Sequence, residues 1–297
     1  MSQYICVDIG GTSIKHGVLD ENAIIKECNQ TKTEAWLGGA AVLDKVKTIG
    51  KQYKEQYENI EGICISTAGM VDPEEGKIVF AGELMPDYTG TCIKKELEKA
   101  LEMPCEVEND VNCAGLAEYV SGSAKESHIM FCATVGTGIG GCAIVNGRVF
   151  HGASNSACEV GYIPMGDSDF QTLGASSILV RKVAEKKIEP LDMWDGKKIF
   201  ALAEKGDKVC ISAIKEMCDV LGKGLATICY VLNPDTIVLG GGIMVQKKNL
   251  ENEIRDSLNR YLRPILAEHL QVCFAEYGNE AGMVGALYNF QNKYGRK

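Results

Sequence analysis

Apolar and polar positions alternate in short runs at the start of the chain. Tyr4-Ile5-Cys6-Val7, Ile14 to Leu19 and Ala23 to Cys28 each have strand length. The tripeptide Asp20-Glu21-Asn22 separates the last two, so the pattern predicts an antiparallel meander. A polar helix is expected over Ala35 to Tyr57, then an apolar strand, Ile60 to Ser66, ending in Thr67-Ala68-Gly69. Thr91 is expected to cap a helix running to Leu101, just before Pro104. Cys105 to Val107 reads as a short strand entering Glu108-Asn109-Asp110, and Val111 to Val120 as a helix.

The opening pattern then recurs. Ile129 to Val135 is an apolar run ending in Gly136-Thr137-Gly138-Ile139-Gly140-Gly141. Cys142 to Val145 and Arg148 to Phe150 flank Asn146-Gly147, a type I′ hairpin signal. Asp8 and Gly136 are 128 residues apart, and a strand–glycine–hairpin unit that occurs twice suggests two related domains. The remainder is mostly helical, with a long apolar face from Ile211 to Leu232. A strand is expected over Thr236 to Leu239, ending in Gly240-Gly241-Gly242, another over Gln271 to Ala275, and a last helix over Ala281 to Tyr294. The alternation of strands and helices is that of an α/β protein.

Composition narrows the partners. With 45% hydrophobic and 24% charged residues, the chain has an ordinary globular make-up. A formal net charge of −9 and no basic cluster argue against nucleic acid. No apolar run approaches the ~20 residues of a membrane span, and the strand-like start at Met1-Ser2-Gln3-Tyr4 is not a signal peptide. Thirteen cysteines scattered singly through apolar segments read as buried free thiols in a reducing cytoplasm, not as a disulfide framework. No C-x-x-C pair offers a zinc ribbon.

Four short segments carry candidate chemistry. In Asp8-Ile9-Gly10-Gly11-Thr12 an acidic residue ends a buried strand before two glycines and a hydroxyl. Glycines let backbone amides approach a phosphate, and a strand-end carboxylate can hold Mg²⁺ through water. A plain tight hairpin is the other reading. The glycines from Gly136 onward lead into a hairpin instead of a helix, so they are not a dinucleotide fingerprint. They fit a second phosphate loop or a simple β-turn. Gly240-Gly241-Gly242 offers flat backbone for a planar ring such as adenine, or a flexible connection. Asp110 is either a helix cap or a general base, expected to be ionised at neutral pH on its ordinary pKa of ~3.9. Glu159, among small and apolar neighbours, is either a ligand for sugar hydroxyls or an exposed loop residue.

Together these segments resemble the repressor–ORF–kinase (ROK) family of sugar kinases, within the actin-like ATPase superfamily, over essentially the whole chain. The resemblance implies two actin-like (ribonuclease H-like) domains with a cleft between them. The expected division is 1–113 plus 281–297 for the smaller domain and 114–280 for the larger. It implies ATP and Mg²⁺ as cofactors, with Asp8, Gly10, Gly11 and Thr12 at the metal and phosphate site and Asp8 holding Mg²⁺ through water. Thr134, Gly136, Thr137 and Gly138 through Gly141 match the second phosphate loop, and Gly240, Gly241 and Gly242 the adenosine segment. Asp110 matches the catalytic base, Asn109 its partner, Gly69 the sugar-side turn, and Glu159 the sugar-binding glutamate. A small-molecule sugar partner and a homodimer are implied as well.

Two departures stand out. Tyr162 replaces the family's histidine after Glu-x-Gly, and residues 162–180 hold neither Cys nor His, so zinc is not expected. A further sugar-touching glutamate is missing, with Ser176 and Ser177 near its place. These suggest a pocket open at the anomeric side and the 6-hydroxyl of a β-glucoside such as cellobiose as acceptor. N-acetylmannosamine kinase and glucokinase are the alternatives. The family's repressors carry an N-terminal DNA-binding domain, which a phosphate loop at residue 8 leads us not to expect here. A non-catalytic sugar sensor is the competing class.

Overall fold

The structure is a computed structural model that describes residues 2–83 and 85–295. Arg296 and Lys297, assigned from sequence to the smaller domain, lie outside the described residues. The chain forms two compact units. Of the described residues, the first comprises 2–83, 85–121, 151–157 and 279–295, and the second 122–150 and 158–278.

The first unit is built on β1 (Gln3–Ile9), β2 (Ser13–Asp20), β3 (Ile25–Lys32), α1 (Gly39–Gln56), β4 (Ile60–Thr67), a small hairpin of β5 (Met70–Asp72) and β6 (Lys77–Phe80), α2 (Ile93–Leu101), β7 (Cys105–Asn109) and α3 (Asp110–Val120). The last helix, α10 (Ala281–Tyr294), returns to it. The sheet order is β3-β2-β1-β4-β7, antiparallel through the meander and parallel from β1 to β7.

The period of two along each strand sorts the side chains. Ile5, Val7, Ile9, Ile63, Ile65, Cys105 and Val107 face a core shared with Val42, Val46 and Ile49 of α1 and Ile93 and Leu97 of α2. The intervening residues face α10. There Tyr4 meets the Phe290 ring edge-on, and a Cβ on Gly62 would collide with the same ring. Asp8, Ser66 and Glu108 belong to this second face and pair in register across β1, β4 and β7. A row of three polar side chains thus sits at the ends of the parallel strands, under α10 and α3.

The second unit repeats the plan with β8 (Ile129–Val135), β9 (Ile139–Val145), β10 (Arg148–Val149), β13 (Thr236–Gly240) and β14 (Gln271–Phe274), in the order β10-β9-β8-β13-β14. Between β10 and β13 lie a short hairpin, β11 (Pro164–Met165) and β12 (Ser168–Asp169), then α4 (Phe170–Gly174), α5 (Ser176–Lys187), α6 (Gly196–Glu204) and α7 (Lys208–Leu232). The helices α8 (Lys247–Tyr261) and α9 (Pro264–Ala267) precede β14. Both sheets place their first strand centrally between an antiparallel hairpin and two parallel strands, so the duplication read from the sequence is a duplication of topology.

Some boundaries differ from expectation. Helix α1 does not start at Ala35, because Gly38 at φ 87° separates a single 3₁₀ turn, Ala35–Leu37, from the helix proper. Thr91 does not cap α2. The cap position is Cys92, and no side-chain hydrogen bond is made there. The first unit extends to Ser121, not to 113, because α3 packs along α10. That crossing is close enough that a Cβ on Gly285 would lie 1.7 Å from the Cys113 carbonyl oxygen. None of the thirteen cysteines is in a disulfide. Cys6, Cys64, Cys132, Cys142 and Cys229 are buried, and Cys273 is half-buried. Among the described residues no helix is long and apolar enough to cross a membrane.

Candidate functional site

In the first unit the three-residue turn Gly10-Gly11-Thr12 joins β1 to β2. The Gly10 N–H donates to the Ser13 carbonyl at 3.0 Å, and Thr33 clamps the turn from β3's end by donating its hydroxyl to the Gly10 carbonyl at 2.6 Å. Asp8 stands just before this turn. Its Oδ1 accepts from the buried Ser66 hydroxyl at 2.7 Å, and its Oδ2 lies 3.8 Å from Lys15 Nζ. Lys15 also donates to the Asn279 carbonyl at 3.0 Å. Burial raises the Asp8 carboxyl above its ordinary range, and Ser66 and Lys15 oppose that rise.

The β7–α3 corner brings Asn109 and Asp110 beside it. The helix cap is Asn109, not Asp110. The Asn109 Oδ1 accepts from the amides of Val111 at 2.8 Å and Asn112 at 3.1 Å. Its amide nitrogen donates to the Gly69 carbonyl at 2.9 Å and to Asp110 Oδ1 at 3.0 Å. Both donors and both acceptor positions of this side chain are therefore occupied. Gly69 can present its carbonyl this way because it holds φ 100°, where a side chain would strain.

Asp110 is released from capping. Its Oδ1 is fixed by Asn109 and by the Val111 amide at 3.0 Å. Oδ2 has no hydrogen-bond partner from another residue among the described residues. Burial, then the Asp8 charge, push its carboxyl up to about 7. The sequence-based expectation of an ordinary carboxylate, fully ionised at neutral pH, is therefore corrected by its surroundings.

Behind this corner, Glu108 is wholly buried. Its Oε1 accepts from the Asn109 amide at 2.7 Å and from Asn112 Nδ2 at 2.9 Å, and its Oε2 meets His151 Nε2 at 2.7 Å. Sequence reasoning gave no role to Glu108 or His151, and placed Ser66 only at the start of the sugar-side loop, without its bond to Asp8. Ser66 and Glu108 become visible only once strand register puts them in line with Asp8, and nothing local marks His151.

The second unit holds the other glycine segments. Its loop is the three-residue turn Gly136-Thr137-Gly138, shorter than the six-residue turn expected, because Ile139, Gly140 and Gly141 already belong to β9. Thr134, at the end of β8, pairs in register with Gly140 on one side and Gly240 on the other. Gly241 holds φ 98°, and a Cβ there would lie 2.3 Å from the Val135 carbonyl oxygen. The turn at Gly240-Gly241-Gly242 is thereby laid against the root of the Gly136 loop, so Thr134, Gly136, Thr137, Gly138 and the glycine triplet form one cluster.

Helix α5 starts beneath it. Ser176 donates its amide at 3.0 Å and its hydroxyl at 2.7 Å to the Gly136 carbonyl, and Ser177 donates its hydroxyl to the Thr137 carbonyl at 2.7 Å. These serines were expected to leave space at a sugar pocket. Instead they pin the glycine loop. Glu159 precedes and Tyr162 ends the 3₁₀ turn Val160–Tyr162, which packs on β9 through Gly161. Both side chains are exposed and have no hydrogen-bond partner among the described residues, and partial enclosure raises the Glu159 carboxyl.

Among the described residues no group of three or more His, Cys, Asp or Glu side chains is placed to hold a metal. A single strand-end carboxylate is nevertheless enough for Mg²⁺ arriving with a nucleotide, since that ion keeps several waters and takes one or two carboxylates plus phosphates. Asp8 fits that requirement, because Oδ2 is outside hydrogen-bond reach of Lys15 and can accept a metal-bound water.

Comparison with known proteins is consistent along the whole chain. The family model described as "ROK family" matches residues 4–293. A β-glucoside kinase of Klebsiella pneumoniae is 30% identical, covering 97% of this chain and 95% of its own. Among solved structures, a ROK family glucokinase from Streptomyces griseus, in complex with glucose and AMPPNP, superposes with a TM-score of 0.83 at 28% identity, over 97% of this chain and 98% of that one. A Listeria monocytogenes protein provisionally described as an N-acetylmannosamine kinase gives a TM-score of 0.87 at 28% identity, over 99% and 100%.

Proposed function

The chain belongs to the ROK family, and from that membership we infer that it is an ATP-dependent sugar kinase whose acceptor is the 6-hydroxyl of a β-glucoside such as cellobiose. The observation that carries the kinase reading is the Asp8–Asp110 corner. One carboxylate is suited to a metal-bound water. The other is fixed through Oδ1, and its Oδ2 has no partner from another described residue. A pKa near 7 matches a general base to neutral pH better than an ordinary aspartate would.

In this reading Asp110 takes the proton of the attacking hydroxyl through Oδ2. Asn109 aims it, and the amides of the α3 start hold Asn109 in turn. Glu159 accepts hydrogen bonds from the sugar, with Tyr162 beside it. The amides and hydroxyls at Gly10, Gly11 and Thr12 and at Gly136, Thr137 and Gly138 receive phosphate oxygens. Gly240, Gly241 and Gly242 offer flat backbone to the adenine. Asp8 would hold Mg²⁺ through water, and the ion when bound would neutralise charge on the phosphates.

The acceptor rests on less. The β-glucoside kinase relative and Tyr162 in place of histidine support it. The engagement of Ser176 and Ser177 with the glycine loop removes one reason for expecting an open pocket and favours glucokinase as the second reading. A coupled ADP-release assay with Mg·ATP against glucose, N-acetylmannosamine, N-acetylglucosamine, cellobiose and gentiobiose tests both. We expect the highest kcat/KM on the disaccharides. A clear preference for one monosaccharide would overturn the acceptor and keep the kinase, and no turnover on any sugar would point to a sensor.

The pH profile is a second expected outcome. A base must be deprotonated to act, and kcat/KM reports the free enzyme. Ionisation of Asp110 should therefore make kcat/KM climb about tenfold per pH unit below about 7, a rise that saturates once the carboxyl is deprotonated. A profile flat from pH 5.5 to 8 would mean that no group of this kind controls turnover.

A further inference from the structure

The chain leaves the second unit after Phe150, contributes residues 151–157 to the first, and returns at Cys158. That excursion is a compact loop closed by the Ala157 amide on the His151 carbonyl at 3.1 Å. What it delivers to the first unit is the His151 imidazole, placed 2.7 Å from a carboxylate with no solvent exposure. Glu108's other oxygen is shared by the Asn109 amide and the Asn112 side chain. A buried carboxylate must be compensated, and two neutral donors do so incompletely. His151 is the ion-pair partner of Glu108 among the described residues.

We propose that His151 is a positioning residue: by pairing with Glu108 it locks the β7–α3 junction, and so sets the orientation of Asn109 and of the candidate base Asp110. The chain of contacts is unbroken. His151 holds Glu108, Glu108 holds the Asn109 backbone and Asn112, and Asn109 holds Asp110 Oδ1. Each link is short, and Glu108 shares its burial with the sheet face that carries Asp8. The lock depends on the imidazolium. The hydrogen bond to Glu108 raises the His151 pKa above its ordinary 6.5 against the opposing effect of burial, and the charges of Glu74 and Asp72 from the β5–β6 hairpin add to the rise. With the folded value raised, the lock is complete below about 6.5 and is lost as pH rises through the folded value.

The proposal rests on the kinase reading only in naming Asp110 a base, and its test separates the two. Titrations followed by amide NMR on the intact protein need no activity. In the wild type the amide signals of Asn109, Val111 and Asn112 should shift with the same midpoint as the His151 ring. In His151→Gln that common transition should vanish while the protein stays folded. Kinetically, with the acceptor found to be used best, His151→Gln should lower kcat on the order of 10- to 100-fold, the scale of a small misplacement of a reacting group. The KM for Mg·ATP should hold, and His151→Lys, which restores the charge, should recover part of the loss. Amides that ignore the His151 titration would overturn the proposal whether or not any sugar is phosphorylated. So would a His151→Gln enzyme with wild-type kcat. Should His151→Gln not fold, the wild-type titration alone decides.

Discussion

Asp110→Asn should lower kcat/KM by about 10²- to 10⁴-fold, the range for loss of a positioned general base, and should at the same time make the protein more stable at pH 8. The two effects share one cause. Asparagine is isosteric, and its Oδ1 can keep the bonds from the Val111 amide and from Asn109, so the corner stays assembled while the proton acceptor disappears. The native carboxyl titrates near 7 instead of 3.8 because burial and Asp8 disfavour its charge. A raised value means that the folded state holds the proton more tightly than the unfolded chain. Folding is therefore least penalised below pH ~4, and the cost of ionising Asp110 grows until about pH 7 and then saturates. On the scale of 1.36 kcal/mol per unit that cost is about 4 kcal/mol at most. Partial exposure of the residue brings the expected gain nearer 1–3 kcal/mol. Thermal melts of the two proteins should differ by a few degrees at pH 8, with the variant higher, and converge at pH 4. An active variant would remove Asp110 as base, and equal melts at pH 8 would mean that its charge is solvated in the native state.

Much of this architecture was legible in the sequence because it is written in local terms. The short apolar runs of β1 and β8, the Asn146-Gly147 turn, with φ of 49° and 81°, and the apolar stripe of α7 each report on their own neighbours. Asp8, Asp110 and the three glycine segments drew notice for the same reason, as unusual residues at strand ends. What stayed hidden depends on register and on distant packing. Ser66 is one serine among several until β4 pairs with β1 and places it against Asp8. Glu108 reads as surface charge until α3 and α10 cover it, and His151 reads as loop until the chain brings it 43 positions back to Glu108. The charge state of Asp110 is of this kind too, since a pKa is a property of surroundings. The partners of Ser176 and Ser177 stayed hidden for a related reason. Their position in a motif suggested a pocket, while the helix start that carries them faces the Gly136 loop.

Gly282→Ala should disable the metal and phosphate side of the site while leaving the hydrogen bonds of the base in place. Gly282 lies in the first turn of α10, directly over Asp8. A Cβ there would lie 2.5 Å from the Asp8 carboxyl carbon and 2.6 and 2.8 Å from its two oxygens. Relief by a flexible side chain is not on offer, because Asp8 is short and is held at Oδ1 by Ser66. Nor can α10 lift easily, since Gly285, one turn on, is already in contact with α3 through Cys113. The cheapest response is rotation of the Asp8 side chain away from Ser66, which breaks a buried hydrogen bond and turns the carboxylate from its present direction. We expect kcat to fall on the order of 10²-fold and the Mg²⁺ concentration needed for half-maximal rate to rise, with the KM for sugar changed less than threefold. Because Asp8 contributes to the raised Asp110 value, the pH at which kcat/KM reaches half its plateau should also drift. A magnesium titration and a pH profile on the same preparation read both. If Gly282→Ala instead loses affinity for sugar and Mg²⁺ equally, α10 has moved as a body, and the glycine serves packing and not the orientation of Asp8.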